Sequence, residues 1–378
     1  MSTLIAEHVY KVFGKGPDNG AAVAKAVRAL ESGETDRDEL RAEGTTAAVI
    51  DASFRVEPGQ IFVVMGLSGS GKSTLLRMLN GLLEPTAGRI LFDGENLTAL
   101  SPAEMRRVRS TKISMVFQHF ALFPHRDVLE NAGYGLEVQG VPRAERDRRA
   151  AEALALCGLG GWEKSWPDEL SGGMQQRVGL ARALATDADL LLMDESFSAL
   201  DPLIRRDMQD QLLELQKSLG KTIVFITHDL NEAMRLGDSI AVMRDGRIVQ
   251  QGTAEDILTR PADDYVASFI QDVDRSRVLT ADAVMTGAAG GRPDCGCPTV
   301  SAGTPLADVC AVSARVPHDV AVTAADGTVV GSVPQGRRGP LIGGDGRAPQ
   351  ACAAVGAGWP RCISDPGSTA VSTSYRAT

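Results

Sequence analysis

The sequence predicts an α/β protein with a largely parallel sheet, and two observations support this fold class. Short apolar runs alternate with helical stretches between residues 61 and 255: "IFVVMG", "ISMVFQ", "LLLMDE", "TIVFITH" and "SIAVM". This alternation is typical of strands that are buried on both faces and joined by helices. In addition, the first run leads into a glycine-rich loop and then into a helical pattern, an order that phosphate-binding loops require.

Composition and charge limit the class of protein. With 378 residues and about 150 residues per domain, two or three domains are expected. A net charge of −9 without an extended basic run argues against a nucleic-acid partner. Apolar runs all fall short of the ~20 residues that a membrane-spanning helix needs, and the start, "MSTLIAEHVYK", does not resemble a secretory signal. We therefore expect a cytosolic protein, unless a partner holds it at a membrane.

The chain divides into three predicted parts. A main domain covers residues 1–272, with an insert at about 14–46 and a helical subdomain at about 120–168. Inside the insert, "AAVAKAVRALESG" has helical periodicity and ends at a glycine. A smaller segment at 273–333 still alternates apolar and polar residues. Residues 334–378 are rich in Gly, Ala, Pro and Ser, so we expect a disordered tail.

The cysteines do not indicate a disulfide scaffold, because there are only six in a chain of this size. Cys295 and Cys297 form a C-x-C pair, but a second pair at metal-site spacing is missing from the sequence. A zinc site is one interpretation, and free thiols are the interpretation we favour.

The loop "GLSGSGKST", from Gly66 to Thr74, follows the strand-like "IFVVM" and precedes the helix-like "LLRMLNGLL". Glycines let successive backbone N–H groups point inward, and the helix N-terminus adds a partial charge of about +0.5. We expect Lys72 to reach the β- and γ-phosphates of a nucleotide and Ser73 to bind Mg²⁺. A chance glycine-rich turn would not explain the strand before the loop and the helix after it.

Polar side chains follow three other strand-like runs. Asp194 and Glu195 end "LLLMDE", His228 ends "TIVFITH", and Gln118 ends "SMVFQ". In a parallel sheet these ends share one edge beside the phosphate loop, so Asp194 is the expected Mg²⁺-side carboxylate and Glu195 can polarise water. Each signal is weak alone: paired acids also occur in solvated turns, and a single histidine is more often structural.

In this order, these motifs resemble the ATPase subunit of ABC transporters. The resemblance covers about residues 3–270 and includes "LSGG" ahead of "QQRVGLARAL", as well as "SALD". It implies that ATP and Mg²⁺ are bound, and that Phe13 stacks on adenine, with Tyr10 as the nearby alternative. Gln118 would contact Mg²⁺, sense the γ-phosphate and link to a membrane partner; Glu195 would act on water, and His228 would contact the γ-phosphate. The other nucleotide or metal positions implied are Gly66, Ser68, Gly69, Ser70, Gly71, Lys72, Ser73, Thr74, Asp194, Ser171, Gly172, Gly173 and Asp201.

The resemblance also implies partners. In the family two copies pack head to tail, and the "LSGG" of one copy closes on the nucleotide held by the other. This chain carries one of each motif, so a homodimer or a pairing with a close paralogue is implied. Asp201 would lie in the loop that communicates between subunits. Integral membrane permease subunits would dock on the helical subdomain, roughly Phe120 to Trp166, and would hold the protein at the cytoplasmic face of the inner membrane. A substrate-binding protein would act indirectly.

Within the family, "MGLSGSGKSTLLRMLNGLLEPTAG", "MDESFSALDPLIRRDMQDQL" and the insert resemble importers of glycine betaine and proline. Ser196 stands where the family usually has alanine. Residues 273–333 resemble one cystathionine-β-synthase-type (CBS) module, single or degenerate, with "DGTVVG" as a hairpin signal. Import of another solute, such as a polyamine or an amino acid, stays open as an alternative. A soluble ABC ATPase outside transport is a more remote alternative.

Overall fold

The structure is a computed structural model that describes residues 2–14, 20–118, 121–271, 275–287, 298–313 and 319–334. Its strands are β1 (Leu4–Phe13), β2 (Thr46–Val56), β3 (Ile61–Met65), β4 (Ala87–Phe92), β5 (Glu95–Asn96), β6 (Ile113–Val116), β7 (Leu190–Asp194), β8 (Thr222–Thr227), β9 (Ser239–Arg244), β10 (Arg247–Gly252), β11 (Thr286–Gly287), β12 (Thr299–Ser301), β13 (Val320–Thr323) and β14 (Val329–Val333). Its helices are α1 (Gly20–Ser32), α2 (Arg37–Ala42), α3 (Lys72–Leu79), α4 (Pro102–Thr111), α5 (Val128–Ala132), α6 (Tyr134–Val138), α7 (Arg143–Leu156), α8 (Gly172–Ala185), α9 (Pro202–Leu219), α10 (Leu230–Leu236), α11 (Ala254–Thr259), α12 (Asp264–Phe269), α13 (Ala281–Val284) and α14 (Leu306–Ser313).

The first two sheets carry the predicted motifs. Among the described residues, one sheet has the order β2-β1-β4-β5 and is antiparallel, and the other has the order β10-β9-β3-β8-β7-β6. The second sheet is parallel except for β10, which pairs antiparallel with β9. The predicted α/β class is confirmed. Since the carboxyl ends of parallel strands share one edge, the residues that follow β3, β6, β7 and β8 meet there.

Helix α3 lies between the two sheets. Its Leu75, Leu76, Met78 and Leu79 are buried in one core with side chains of both sheets. The sheets also meet directly, because the ring of Phe54 on β2 stacks on that of Phe62 on β3 with centroids 4.8 Å apart. Burial on several faces explains why the second half of α3, "LLRML", is apolar apart from the exposed Arg77. It also fixes the helix whose first turn follows the phosphate loop.

The insert forms two helices, α1 and α2, between β1 and β2. The helical periodicity of "AAVAKAVRALESG" corresponds to α1, which ends before Gly33 with a positive φ of 71°. Buried residues of the insert pack against the first sheet: Ala26, Val27, Leu30 and Leu40 contact a cluster that contains Tyr10, Val12, Ala47 and Ile50. The insert is therefore anchored to the body of the protein by an apolar face.

Helices α5, α7 and α8 pack together and form the helical part of the first unit. The predicted subdomain at about 120–168 includes α5, α6 and α7, while α8 begins after its predicted end. Within the described ranges, helices long and apolar enough to cross a membrane are absent.

The chain divides into two compact units, residues 1–257 and 258–378. In the second unit the strand order is β11-β14-β13-β12, with β12 and β13 parallel and β13 and β14 antiparallel. The "DGTVVG" stretch forms the turn of the β13–β14 hairpin and the start of β14, and Gly327 in the turn has φ 82°. Of the predicted tail at 334–378, all but its first residue lies outside the described residues, as does the Cys295–Cys297 pair. Cys157 is buried and is a free thiol, and Cys310 is half-buried.

Candidate nucleotide-binding and hydrolysis site

The phosphate loop begins where the buried strand β3 ends at Met65 and leads into α3. Gly66, Gly69 and Gly71 have φ values of 150°, 80° and 104°, which favour glycine. A Cβ on Gly66 would lie 2.2 Å from the carbonyl oxygen of Met243, and one on Gly71 would lie 2.2 Å from that of Ala48. The loop is thus held against two neighbouring backbone segments, and a side chain at either position would force them apart.

Lys72 opens helix α3 with its side chain inside the loop. Only 4% of it is exposed, and Nζ donates to the carbonyl oxygens of Gly66 (2.8 Å) and Leu67 (3.1 Å). Burial lowers the pKa of Lys72, while the charges of Glu195 and Asp194 oppose that shift. An ammonium group has three donors, so one is left for a phosphate oxygen.

Ser73 and Asp194 bring two oxygens together at the edge of the parallel sheet. Ser73 Oγ donates to Asp194 Oδ1 at 3.1 Å. Burial raises the pKa of Asp194, the neighbouring Glu195 adds to the rise, and the Ser73 hydrogen bond opposes it. A hydroxyl beside a carboxylate is the oxygen donor set that Mg²⁺ prefers, so these residues fit the predicted metal.

Glu195 lies directly after β7 and faces His228, which lies directly after β8. The distance between Glu195 Oε2 and His228 Nδ1 is 3.0 Å, and Glu195 Oε1 is 4.0 Å from Lys72 Nζ. The backbone of Glu195 is in the left-handed region, with φ 44°, and its N–H donates to the carbonyl oxygen of Ile226. The structure thus brings together the strand-end acid and histidine that the sequence analysis selected separately.

Gln118 is connected to the same edge through Ser198, a residue that the sequence analysis did not single out. Gln118 Nε2 donates to Ser198 Oγ at 3.3 Å, and Ser198 Oγ donates to the backbone oxygen of Glu195 at 2.8 Å. Ser198 belongs to the quoted "SALD", so the motif itself was the available signal. One hydroxyl therefore links the segment after β6 to the segment after β7.

Arg205 was also missed, and it joins the Asp201 loop to the segment after His228. Its Nη2 donates to the carbonyl oxygen of Leu200 (3.1 Å), and its Nη1 donates to Asp229 Oδ2 (3.3 Å). Asp201 itself caps α9, because its Oδ1 accepts from the N–H groups of Leu203 and Ile204. No sequence pattern marked Arg205, since only the tertiary fold places its guanidinium between these loops.

The two aromatic candidates for adenine stacking differ in exposure. Tyr10 is 4% exposed and belongs to the cluster that the insert covers, whereas Phe13, at the end of β1, is 42% exposed. Lys11 Nζ lies 5.1 Å from the centroid of the Phe13 ring. Of these two rings, only Phe13 has a face open to a planar base.

The "LSGG" segment lies at the N-terminus of α8. Ser171 is its N-cap and accepts a hydrogen bond from the N–H of Met174, while Ser171 and Gly172 are exposed. Gly173 is buried, and a Cβ there would lie 2.5 Å from Ile204 Cγ2 on α9. The segment therefore presents polar backbone to solvent at one end of the helical part, while the phosphate loop lies at the start of α3.

A groove of about 290 Å³ separates the helical part from the parallel sheet. On the sheet side it is lined by Ile113, Ser114, Met115 and Phe117, and on the helical side by Tyr134, Val138 and Arg182. Leu82, Phe117 and Val138 line it and are more than two fifths exposed. An exposed apolar patch of this kind marks an interaction site more often than a free surface.

Comparison with known proteins agrees with this geometry. Residues 49–198 match the model of the ABC transporter family. Over 290 residues the chain is 59% identical to the glycine betaine transport ATP-binding protein OpuAA of Bacillus subtilis (strain 168). The aligned residues are 77% of this chain and 68% of that protein. The chain belongs to the ABC transporter family.

A second relative in this family is the glycine betaine/proline betaine transport system ATP-binding protein ProV of Escherichia coli (strain K12). It is 53% identical over 275 residues, which are 73% of this chain and 67% of that protein. Among solved structures, the dimeric post-hydrolysis state of the ATP-binding cassette MJ0796 bound to ADP and Pi has a TM-score of 0.55. It is 30% identical and covers 66% of this chain and 98% of its own. The prediction of an ABC-type transport ATPase is therefore confirmed, while the roles assigned to single residues stay predictions.

Proposed function

We propose that this chain is the ATP-hydrolysing subunit of an importer for glycine betaine and related quaternary amines. The observation that carries the proposal is the strand-edge site, in which Lys72, Asp194, Glu195 and His228 lie together after three parallel strands. Relatives that share 53–59% of aligned residues are named for glycine betaine transport. The residues that contact the solute would belong to other subunits. The choice of glycine betaine over a polyamine or an amino acid therefore rests on these relatives.

In the proposed mechanism, the loop at residues 66–74 holds the phosphates through its backbone N–H groups and Lys72. Ser73, Asp194 and Gln118 would hold Mg²⁺, which neutralises charge on the β- and γ-phosphates when it is bound. Phe13 stacks on the adenine ring. These roles follow from where the side chains lie. The buried ammonium group of Lys72 lies inside the loop, and the oxygens of Ser73 and Asp194 lie beside the end of the loop.

Glu195 then accepts a proton from the attacking water, or orients it. It is suited to this role because His228 and Lys72 flank its two carboxylate oxygens, at 3.0 and 4.0 Å, and hold it in one orientation. His228 is 56% exposed, which leaves its ring free to contact the γ-phosphate as well.

A second copy completes each site. We infer that Ser171, Gly172 and Gly173 of one copy close on the γ-phosphate held by the other, because exposed N–H groups at the start of α8 form an anion-binding end. Asp201 would lie at the same interface. The dimeric form of the structurally similar MJ0796 cassette supports this arrangement.

Permease subunits would dock in the groove between the helical part and the sheet. The occupant we propose is a short amphipathic helix of the permease, since the groove offers exposed Leu82, Phe117 and Val138 around Arg182. Phe117 precedes Gln118, so occupancy of the groove is transmitted directly to the nucleotide site. Docking there would place the protein at the cytoplasmic face of the membrane, with a substrate-binding protein as an indirect partner.

For the C-terminal segment, residues 273–333, we propose a single CBS-like module. The strand order β11-β14-β13-β12, with a helix between parallel strands β12 and β13, supports it. One such module leaves part of its surface without a matching module among the residues that the structure describes, so it would pair across the dimer.

The proposal is tested by deleting the gene and measuring uptake of labelled glycine betaine, spermidine and amino acids. We expect glycine betaine uptake to fall, wild-type protein to restore it, and Lys72→Ala to fail to restore it. Normal betaine uptake in the deletion strain, with loss of polyamine or amino-acid uptake instead, would contradict the substrate while leaving the ATPase assignment in place.

A further inference from the structure

Within the described part of the insert, the side chain of Arg37 contacts the phosphate loop. This residue is the first of α2, and the turn before it is fixed by a capping box. Asp36 Oδ1 accepts from the N–H groups of Asp38 and Glu39, both at 2.9 Å, and Glu39 Oε2 accepts from the Asp36 N–H at 3.3 Å. Because Leu40 anchors the same helix in the core, the position of Arg37 is set by packing as well as by the cap.

The guanidinium of Arg37 joins two segments on the outside of the loop. Its Nη2 donates to the carbonyl oxygen of Gly69 at 3.0 Å, and its Nη1 donates to Asp245 Oδ1 at 2.9 Å. Asp245 also lies 3.4 Å from Arg244 and is in the turn between β9 and β10. The Arg37 side chain is 26% exposed and that of Asp245 is 67% exposed, so Arg37 is the better shielded end of this ion pair.

Of the three glycines in the phosphate loop, Gly69 has the fewest neighbouring atoms to hold its backbone in place. Cβ atoms on Gly66 and Gly71 would collide with backbone carbonyls, whereas one on Gly69 would meet nothing within 4 Å. The next carbonyl, that of Ser70, accepts from the N–H of Gly246 at 3.0 Å. Backbone packing therefore holds both ends of the loop, and the Arg37 side chain holds the Gly69 carbonyl between them.

A peptide bond is planar and trans, so a carbonyl fixed on one side also fixes the N–H on the other side. The Arg37 hydrogen bond holds the carbonyl side of the Gly69–Ser70 peptide, and the N–H side of the same peptide donates to the carbonyl oxygen of Leu67 at 3.2 Å. Arg37 therefore supports a turn of the loop, and this turn orients the N–H groups of the loop that remain open to a phosphate. Phosphate binding depends on such N–H groups being oriented before the ligand arrives, because a loop that must be ordered on binding loses affinity.

We propose that Arg37 is a positioning residue that orients the Gly69 peptide of the phosphate loop and thereby raises the affinity for ATP. This role belongs to the insert and acts through the loop, without contact between Arg37 and the nucleotide. It rests on ATP binding at residues 66–74 and is independent of the imported solute.

The test compares Arg37→Met, Arg37→Lys and the control Arg41→Met in the full chain. Arg41 lies on the same helix and is exposed, and methionine keeps most of the apolar stem while removing the guanidinium. We expect Arg37→Met to raise the Kd for Mg·ATP and for Mg·ADP by about three- to tenfold, the range of a lost charged hydrogen bond at a partly exposed site. Both nucleotides should be affected equally, since the loop holds phosphates that they share.

The KM for ATP should rise by a similar factor while kcat stays within about twofold, which a general loss of folded protein would not produce. Arg37→Lys should recover part of the affinity, and Arg41→Met should match the wild type. An unchanged Kd in Arg37→Met, a loss confined to kcat, or an equal loss in Arg41→Met would overturn the proposal.

Asp245→Asn provides a second variant if Arg37→Met does not fold. It leaves the insert intact and removes the negative charge from one of the two acceptors of Arg37, so it should raise the Kd for ATP by a smaller factor than Arg37→Met. A Kd that matches the wild type would contradict the bridge between the two segments. A wild-type chain that does not bind ATP would instead refute the proposed function.

Discussion

At the scale of single residues, Glu195 is the group on which the proposed hydrolysis depends. Glu195→Gln keeps the shape of the side chain and removes its ability to accept a proton, so we expect kcat for ATP hydrolysis to fall by about 10²- to 10⁴-fold. ATP binding should persist, because the loop and Lys72 are unchanged, and the ATP-bound form should accumulate as a dimer. Steady-state hydrolysis and size-exclusion chromatography with ATP measure the two effects.

The matched control is Glu214→Gln, which removes one carboxylate from an exposed position on α9. It should hydrolyse ATP at the wild-type rate. Steady hydrolysis by Glu195→Gln at a similar rate would exclude Glu195 as the base.

The buried carboxyl group of Glu232 should make the free energy of unfolding depend on pH. It is 4% exposed, and its carboxylate accepts from Thr227 Oγ1 (2.6 Å) and Gln209 Nε2 (3.1 Å), with Arg205 Nε at 3.8 Å. Burial raises its pKa above the ordinary value of 4.5, and Asp229 adds to the rise, while the hydrogen bond from Thr227 and the charge of Arg205 oppose it. Above pH 4.5 the folded chain therefore keeps a proton that the unfolded chain loses, so this group contributes less stability as pH rises.

We expect the free energy of unfolding of the wild type, relative to that of Glu232→Gln, to decrease as the pH rises from 4.5 through the folded pKa. Urea unfolding of both proteins across this range measures the difference. A difference that stays constant with pH, or that increases, would show that Glu232 has no raised pKa.

Residues within the site differ in how far the sequence predicted them. Lys72 was predictable from the glycine-rich loop between a strand-like run and a helix-like run. Asp194 and Glu195 were predictable because they end an apolar run, and the edge of a parallel sheet collects such positions. Ser198 and Arg205 were not, because their roles depend on loops that meet only in the folded chain. Ser196 is fully buried, as expected of a position where a small side chain is needed.

At the scale of elements, a substitution in the groove beside Phe117 should weaken docking of the permease without affecting ATP binding. Val138, at the end of α6, is 60% exposed and lines the groove. Val138→Glu would place a charge against the apolar face of the proposed permease helix, so we expect the protein to lose co-purification with the permease while its Kd for ATP stays unchanged. Pull-down from membranes and nucleotide binding give the two measurements.

Leu156→Glu is the control for this variant. Leu156 is 51% exposed at the end of α7 and is not among the residues that line the groove. It should co-purify normally. Loss of the permease in both variants, or in neither, would place the docking surface elsewhere.

Element type followed from the sequence more readily than element neighbours did. The periodicity of the insert indicated α1, and the apolar runs indicated β3, β7 and β8. The antiparallel sheet of β2, β1 and β4 was not predicted, because its strands lie far apart in sequence and only their pairing reveals their order. The contact of α2 with the phosphate loop was likewise invisible, since a single arginine carries it.

At the scale of the whole molecule, removal of the C-terminal segment should change the regulation of the ATPase and leave the hydrolysis reaction itself unchanged. The predicted site residues all lie before residue 230, so a chain ending at residue 272 should keep its basal ATPase activity. If the CBS-like module regulates the ATPase, the dependence of activity on salt concentration should change. Activity measured against ionic strength in full-length and shortened protein tests this, and identical salt profiles would reject regulation.

The buried thiol of Cys157 has a practical consequence for measuring the proposed closure of the dimer. Burial raises the pKa of Cys157 to about 12, so at neutral pH it is a thiol that reacts slowly with labelling reagents. By sequence it is also the single cysteine before residue 295. A cysteine introduced at exposed Asp168, close to the "LSGG" segment but outside the proposed γ-phosphate contacts, would therefore take up a spin label or fluorophore selectively in the chain ending at 272. Distances between two such labels would report, in real time, how far the copies approach each other during one cycle.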